Sequence, residues 1–413
     1  MSTPGRQRGH RPASRRPEAP SSDASVPDGA RPDGARPDGA RRDGARRDGA
    51  RREGAEPHGA GPGREGAGAE NRPGHSEHET LAWLNALLPA PPDGDVWSGD
   101  DAAVVAWPGA GSSREGAVLL LTADTVVAGL DADLSLTTLS DLGWKAMAVN
   151  LSDIAAMGGI PGHALISVVG AGPDELRSLY EGILEAAVAY DCPVVGGDLS
   201  AGSEMVVSVS LTGRVDGPPV LRSGAQPGDT IWVTGRLGAA AAGLRLLKAA
   251  GPSGPGGAHR WSPAESDLVR AHARPRPALA EGALARRSGA TAMIDVSDGL
   301  VADLSHISNL SGVGFELMDV PVAPGATLAE ALAGGDDYVL AFTMPAIGPA
   351  IGPAIGPAMG PAMGPAATRP DLAEAFERAG LPPPYLIGRC LPDPSKRLMA
   401  GRAVEVTGWD HSL

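Results

Sequence analysis

Apolar residues follow two rhythms along residues 76–413. Short Val/Leu/Ile-rich runs of strand character lie at 103–105, 118–121, 194–195, 205–211, 230–234, 293–296 and 339–342. Between them are Ala/Leu-rich stretches with apolar residues three and four apart, the spacing of a helix face. Leu142, Ala146 and Val149 share such a face with Asp153, and Leu300, Leu304, Ile307 and Leu310 form another that Ser311-Gly312 can end. The pattern Ser76-Glu77-His78-Glu79 resembles a capping box and precedes Leu81, Leu84 and Leu88. Strands alternating with helices predict a mixed α/β (α+β) enzyme, and the length allows two domains. The boundary is expected near Asp216, giving an N-terminal sheet domain over 76–216 and a C-terminal α/β domain over 217–413.

The polar residues that interrupt this pattern are concentrated at the ends of apolar runs. Met293-Ile294-Asp295-Val296-Ser297-Asp298-Gly299-Leu300 reads as a short buried strand handing over to a helix, with two carboxylates at the junction. A helix N-terminus suits phosphate, but bare carboxylates repel it. Their shared partner is therefore expected to be Mg²⁺, a hard cation that takes oxygen ligands. An Asp helix cap is the plainer reading of either residue alone. Against it stands repetition: Gly99-Asp100-Asp101, Thr122-Ala123-Asp124-Thr125, Asn150-Leu151-Ser152-Asp153, Val195-Gly196-Gly197-Asp198 and Gly334-Gly335-Asp336-Asp337-Tyr338. Asp153 falls on an apolar helix stripe, which is costly for an acid without a partner. Several strand ends converging on one metal-bridged anion would account for the set.

Composition narrows the partners. The chain carries a net charge of −14, although residues 1–75 hold 15 Arg against 11 acids. The remainder is thus strongly acidic and should repel nucleic acid. Residues 1–75 repeat Arg-Pro-Asp-Gly-Ala with almost no large apolar side chains, which predicts a disordered low-complexity tail. A Gly-Pro-Ala repeat at 345–367 predicts a loop insertion, since its prolines exclude a helix or sheet interior. Nothing is apolar enough to span a membrane, and the tail lacks a secretory core, so a cytoplasmic protein is expected. Cys192 and Cys390 lack metal-ligand spacing and are expected to be packing residues.

Clustered Mg²⁺ sites near glycines suggest nucleotide chemistry, yet no Walker A loop is present. The three lysines, Lys145, Lys248 and Lys396, neither follow Gly nor precede Ser or Thr. The signature loops of protein kinases are missing too. Gly235-Arg236-Leu237-Gly238 before an Ala-rich stretch is more simply a tight strand-helix turn. ATP would have to be held by carboxylate-bound metal and arginine.

Taken in order, and with Arg222-Ser223-Gly224-Ala225 and Gly408-Trp409-Asp410-His411 added, these motifs resemble the thiamine-monophosphate kinase family from about residue 76 to 413. The resemblance implies a two-domain fold like aminoimidazole ribonucleotide synthetase. It also implies transfer of the ATP γ-phosphoryl group to thiamine monophosphate, Mg²⁺ dependence and a homodimer. By the same resemblance Asp101, Thr122, Asp124, Asp153, Asp198, Asp295 and Asp298 would hold metal. Gly197, Asp198, Arg222, Ser297 and Tyr180 would contact ATP; Asp131, Asp336 and Trp409 would contact the acceptor. No catalytic base is implied. Three positions depart from the family pattern: Ala123 stands for a hydroxyl residue, Asp131-Ala132 for a His-Phe pair, and Asp336 for Glu. Another enzyme of the superfamily, or a degraded protein that only binds thiamine phosphates, are the rival readings.

Overall fold

The computed structural model describes residues 90–97, 99–106, 116–251, 260–346 and 370–408. The tail, the helix expected after residue 76, all but the first two residues of the Gly-Pro-Ala insertion, and Trp409 lie outside the described residues.

The first half of the described chain runs β1 (Ala103–Ala106), β2 (Ala117–Val127), α1 (Leu139–Ala156), β3 (Ile160–Val169), α2 (Pro173–Ala189), β4 (Val194–Ser200) and β5 (Val206–Asp216). Its five-stranded sheet has the order β1-β2-β5-β3-β4, antiparallel except for the β3–β4 pair. Period-two alternation puts Leu120, Val126, Val207, Val209 and Leu211 under α1 and α2. Leu121, Leu165, Val195 and Leu199 lie exposed instead. The helices meet at glycines because nothing larger fits. A Cβ on Gly182 would stand 1.7 Å from the Ser140 carbonyl oxygen, and one on Gly143 2.1 Å from that of Leu179.

The second half runs β6 (Thr230–Val233), α3 (Ala239–Ala250), α4 (Pro263–Ala273), α5 (Leu279–Arg287), β7 (Ala292–Asp295), α6 (Leu300–Ser311), β8 (Gly314–Leu317), α7 (Leu328–Ala333), β9 (Leu340–Met344), α8 (Pro370–Arg378), β10 (Tyr385–Leu391), β11 (Arg397–Met399) and β12 (Arg402–Ala403). Its seven-stranded sheet is ordered β12-β11-β8-β10-β6-β9-β7, with only β8–β11 parallel. The mixed α/β class therefore holds, with one sheet in each half. The helix expected after Asp298 is α6, and Gly312, at φ 67°, ends it in the left-handed conformation.

Three strands run further than their apolar residues suggested. β2 continues through Thr122 and Asp124, β4 passes Asp198, and β5 extends from the expected end at Leu211 to Asp216. Asp124 and Asp198 are thus mid-strand residues, not strand ends. Ladder hydrogen bonds depend on the backbone, so polar side chains do not stop a strand when they face a site or solvent.

Three cores result. One lies between the first sheet and its helices, and a second joins the second sheet to α6. The third packs Ala155 and Ala156 of α1 against Met293, Leu340, Phe342, Ala285 and Phe376. Helix α1 therefore belongs to both halves, and its C-terminal turns pass between the two sheets. That is where the acids gather.

Candidate metal and phosphate centre

Helix α1 carries the polar residues that link the sheets. Buried Asn150 accepts a hydrogen bond from the Asp124 N–H (3.1 Å) and donates to the Ala146 carbonyl (3.1 Å). The Thr122 hydroxyl donates to the Asp153 carboxylate. On the other side, the Ser152 hydroxyl donates to Asp295 at the end of β7 (2.6 Å). Consecutive residues on one helix so reach both β2 and β7.

Asp101, Asp153 and Asp295 each offer a carboxylate oxygen, and these three atoms lie within 4.8 Å of one another. The Arg222 guanidinium pairs with Asp101 Oδ1 (2.7 Å), and its backbone N–H donates to Asp100 (3.0 Å). One cation cannot neutralise so many acids. Burial pushes Asp295 up to about 8, helped by the Asp101 charge and opposed by the Ser152 hydroxyl and Arg222. Asp153 is raised by desolvation and then by Asp124, Asp295 and Asp101. Asp100 is raised to about 7 by burial and by Asp101. For Arg222, burial works against protonation, but the attraction of Asp101 outweighs it and the guanidinium stays charged. Asp101 Oδ2 is buried without a hydrogen-bond partner. Mutually repelling oxygen ligands with an orphaned lone pair are a donor set suited to a hard divalent cation.

Asp298 does not join these three. The loop turns at Gly299 (φ 128°) and places Asp298 beside Asp303 and His306 of α6, with one ligand atom from each within 4.8 Å. Neither Asp295 nor Asp298 is the N-cap of α6, which is Gly299. It is the Asp303 carboxylate that accepts the Ser297 and Gly299 N–H groups (both 3.1 Å).

The remaining predicted residues are spread around this centre. Gly197 and Asp198 lie on the edge strand β4, where Asp198 pairs in register with Ser167, and both are exposed. The row Thr125, Ser208, Ser167, Asp198 crosses the sheet on its outer side, opposite to Thr122 and Asp124. A Cβ on Gly197 would lie 1.8 Å from the Ile166 carbonyl oxygen, so glycine is required there. Half-buried Tyr180 packs on the first core. Ser297 accepts the Asp336 N–H (2.7 Å), which joins the Gly334-Gly335-Asp336 loop to the Asp295–Asp298 loop. Asp336 itself is gripped by Lys145 (2.6 Å) and by the Tyr338 hydroxyl (3.1 Å). Asp131 lines a small, shallow recess of about 20 Å³ beside Lys145 and His272.

The Gly235–Gly238 turn does not await an anion. Asp337 accepts the Gly238 N–H (2.6 Å) and the Ala240 N–H (3.3 Å), filling the N-terminus of α3 with a carboxylate. The plainer reading of that turn is the right one.

Sequence reasoning did not single out Lys145, Ser152, His272, Asp303 or His306. Ser152 lay inside a quoted motif. Lys145 precedes it by seven residues, a two-turn spacing that puts both on one helix face. Nothing in the local sequence marks His272, because its neighbours Lys145 and Asp336 come from other elements; Asp303 and His306 follow Asp298 at positions that a reading of α6 as an apolar face passes over.

Residues 99–215 match the family described as AIR synthase related protein, N-terminal domain. Thiamine-monophosphate kinase of Bacillus subtilis is 35% identical over 265 residues, covering 60% of this chain and 78% of that protein. Its counterpart in Mycobacterium tuberculosis is 39% identical over 251 residues, covering 58% and 68%. Among solved structures, AaThiL complexed with AMPPCP and TMP superposes with a TM-score of 0.65 at 29% identity, over 81% of this chain and 97% of that one.

Proposed function

Because the chain belongs to the thiamine-monophosphate kinase family, and is thus a phosphotransferase, we propose that it moves the ATP γ-phosphoryl group onto the phosphate of thiamine monophosphate, giving thiamine diphosphate. The observation that carries this reading is the set of three carboxylates from β7, α1 and the turn before β1, drawn within 4.8 Å with one oxygen orphaned. An intact acid set of this kind is what a merely binding, degraded protein would have had no reason to keep.

The acceptor is already anionic, so no strong general base is needed; repulsion between two phosphates is the obstacle. Asp101, Asp153 and Asp295, with Thr122 and Asp124 beside them, would hold Mg²⁺; Asp298, in its separate group on the α6 side, and Asp198 remain proposed metal ligands. The ion would screen the phosphates and align donor with acceptor. Arg222 is fixed by Asp101, so its charge is oriented before nucleotide arrives, and its buried Nε has no protein partner. Ser297, Gly197, Asp198 and Tyr180 remain proposed ATP contacts. Asp131, Asp336 and Trp409 remain proposed acceptor contacts.

We propose a homodimer through the outer face of the first sheet, where Leu121 is 39% exposed and Leu165 48%. An apolar face of this kind marks an interaction surface. Among the described residues no helix is long and apolar enough to cross a membrane, which fits the proposed cytoplasmic setting. The test is direct: purified protein, ATP, Mg²⁺ and thiamine monophosphate, read for thiamine diphosphate. Formation that stops with chelator and returns with Mg²⁺ is expected; turnover of a different acceptor and none of this one would overturn the assignment.

A further inference from the structure

The loop Gly334–Tyr338 leads into β9 in a conformation that its side chains resist. Gly335 (φ 67°) is at ease in the left-handed region, but Asp336 (φ 60°) and Tyr338 (φ 49°) share it. For a residue as bulky as tyrosine this is a true outlier, and such strain persists only where the surroundings over-determine it. The segment between β7 and α6 supplies those surroundings. The Asp336 N–H donates to the Ser297 carbonyl (2.7 Å), the Tyr338 N–H to the Val296 carbonyl (2.9 Å) and the Val296 N–H to the Val339 carbonyl (2.8 Å). A Cβ on Gly335 would stand 2.5 Å from the Ser297 carbonyl oxygen, so the two segments lie backbone against backbone.

Side chains lock this arrangement. Both oxygens of the Asp336 carboxylate are engaged, Oδ2 by the Lys145 ammonium (2.6 Å) and Oδ1 by the Tyr338 hydroxyl (3.1 Å). Tyr338 is buried. Burial, and then the charges of Asp336, Asp295 and Asp124, push its hydroxyl well above the ordinary tyrosine range, so it stays a donor. Helix α1 therefore grips the segment after β7 twice. Ser152 holds Asp295 (2.6 Å), and two turns earlier Lys145 holds Asp336, which holds Ser297. The Ser297 backbone is pinned at both ends, its N–H by the Asp303 carboxylate (3.1 Å) and its carbonyl by the Asp336 N–H. What Ser297 offers a ligand is its hydroxyl. We infer that Lys145 and Tyr338 are positioning residues for the nucleotide: they fix Asp336 so that the strained loop sets the place of the Ser297 hydroxyl. This deepens the phosphotransfer reading above and rests on its assignment of Ser297 to ATP.

Calorimetric titration of the full chain with a non-hydrolysable ATP analogue and Mg²⁺, without acceptor, tests the inference. Tyr338→Phe keeps the ring and loses only the hydroxyl; it should weaken binding roughly ten-fold, about one hydrogen bond. Lys145→Met, of similar length but uncharged, should weaken it at least as much. The deciding comparison is a double-mutant cycle with Ser297→Ala. Once the Ser297 hydroxyl is gone, Tyr338→Phe should change the affinity by less than about two-fold, because there is nothing left for the loop to place. A merely structural tyrosine would cost the same in both backgrounds. Wild-type affinity in Tyr338→Phe, or an equal loss with and without the Ser297 hydroxyl, overturns the inference and leaves the family activity standing. A wild type that binds no ATP analogue overturns the functional reading and this one with it. Should Lys145→Met not fold, the Tyr338→Phe cycle decides alone.

Discussion

At the scale of single residues, the centre holds charge that it cannot neutralise alone, and this makes a double prediction for Asp295. Asp295→Asn keeps the shape and can still accept from Ser152, but removes one of the clustered charges. Turnover should fall by roughly a hundred-fold or more, the scale of losing a charge that acts in the transition state. Melting without Mg²⁺ should rise, because the chain no longer has to bury an acid beside Asp101. Wild type should gain thermal stability when Mg²⁺ is added and the variant should not, which thermal scans with and without chelator would show. His272 gives a pH prediction. Burial first, then the charges of Lys145 and Lys248, hold it near 4 against the pull of Asp336. An unfolded histidine titrates near 6.5, so between those values the unfolded chain binds the extra proton and stability falls as pH is lowered. The loss should reach about 2 kcal/mol at pH 5. His272→Asn should flatten that part of the curve, as denaturant midpoints at pH 7 and pH 5 would reveal. Asp101, Asp153 and Asp295 could be read from the sequence because each abuts an apolar run or stripe. His272 and Lys145 could not, since what they face is supplied by Asp336, far along the chain.

At the scale of elements, the α1–α2 contact decides how well the centre is held. With Gly182 against the Ser140 backbone and Gly143 against that of Leu179, the helix axes can approach closely. Gly182→Ala has to push α2 off α1, and overpacking of this kind costs about 1–3 kcal/mol. Because α1 carries Asn150, Ser152 and Asp153, turnover should fall together with the melting temperature. A variant that melts lower but keeps full turnover would show that α2 alone gives way. The helices themselves were legible from spacing: α6 falls where Leu300, Leu304 and Ile307 recur, and Gly312 ends it. Strand lengths were less so. Thr122, Asp124 and Asp198 look like terminators in a string of letters, but the ladder to β5 and β3 carries the backbone past them.

At the scale of the molecule, the outer face of the first sheet sets a prediction about assembly. Replacing both Leu121 and Leu165 with Glu should convert the proposed dimer to a monomer with the fold kept, since both side chains are exposed in the single chain. Light scattering and circular dichroism together would report this, and a wild type that is already monomeric at working concentration would remove the proposed interface. The sequence suggested two domains, and two sheets are present. It could not show that Ala155 and Ala156, on a helix of the first half, complete a core made mostly by the second. Alanines are mute in a hydrophobic pattern, being small enough for almost any surface. That shared core has a consequence for dividing the chain. A fragment ending near Asp216 would carry α1 with its last turns bare, and the complementary fragment would expose Met293, Leu340 and Phe342. Expressed alone, each should be insoluble or chaperone-bound. Co-expressed, they should find one another and regain activity, making this a protein whose halves can be genetically separated but not physically independent.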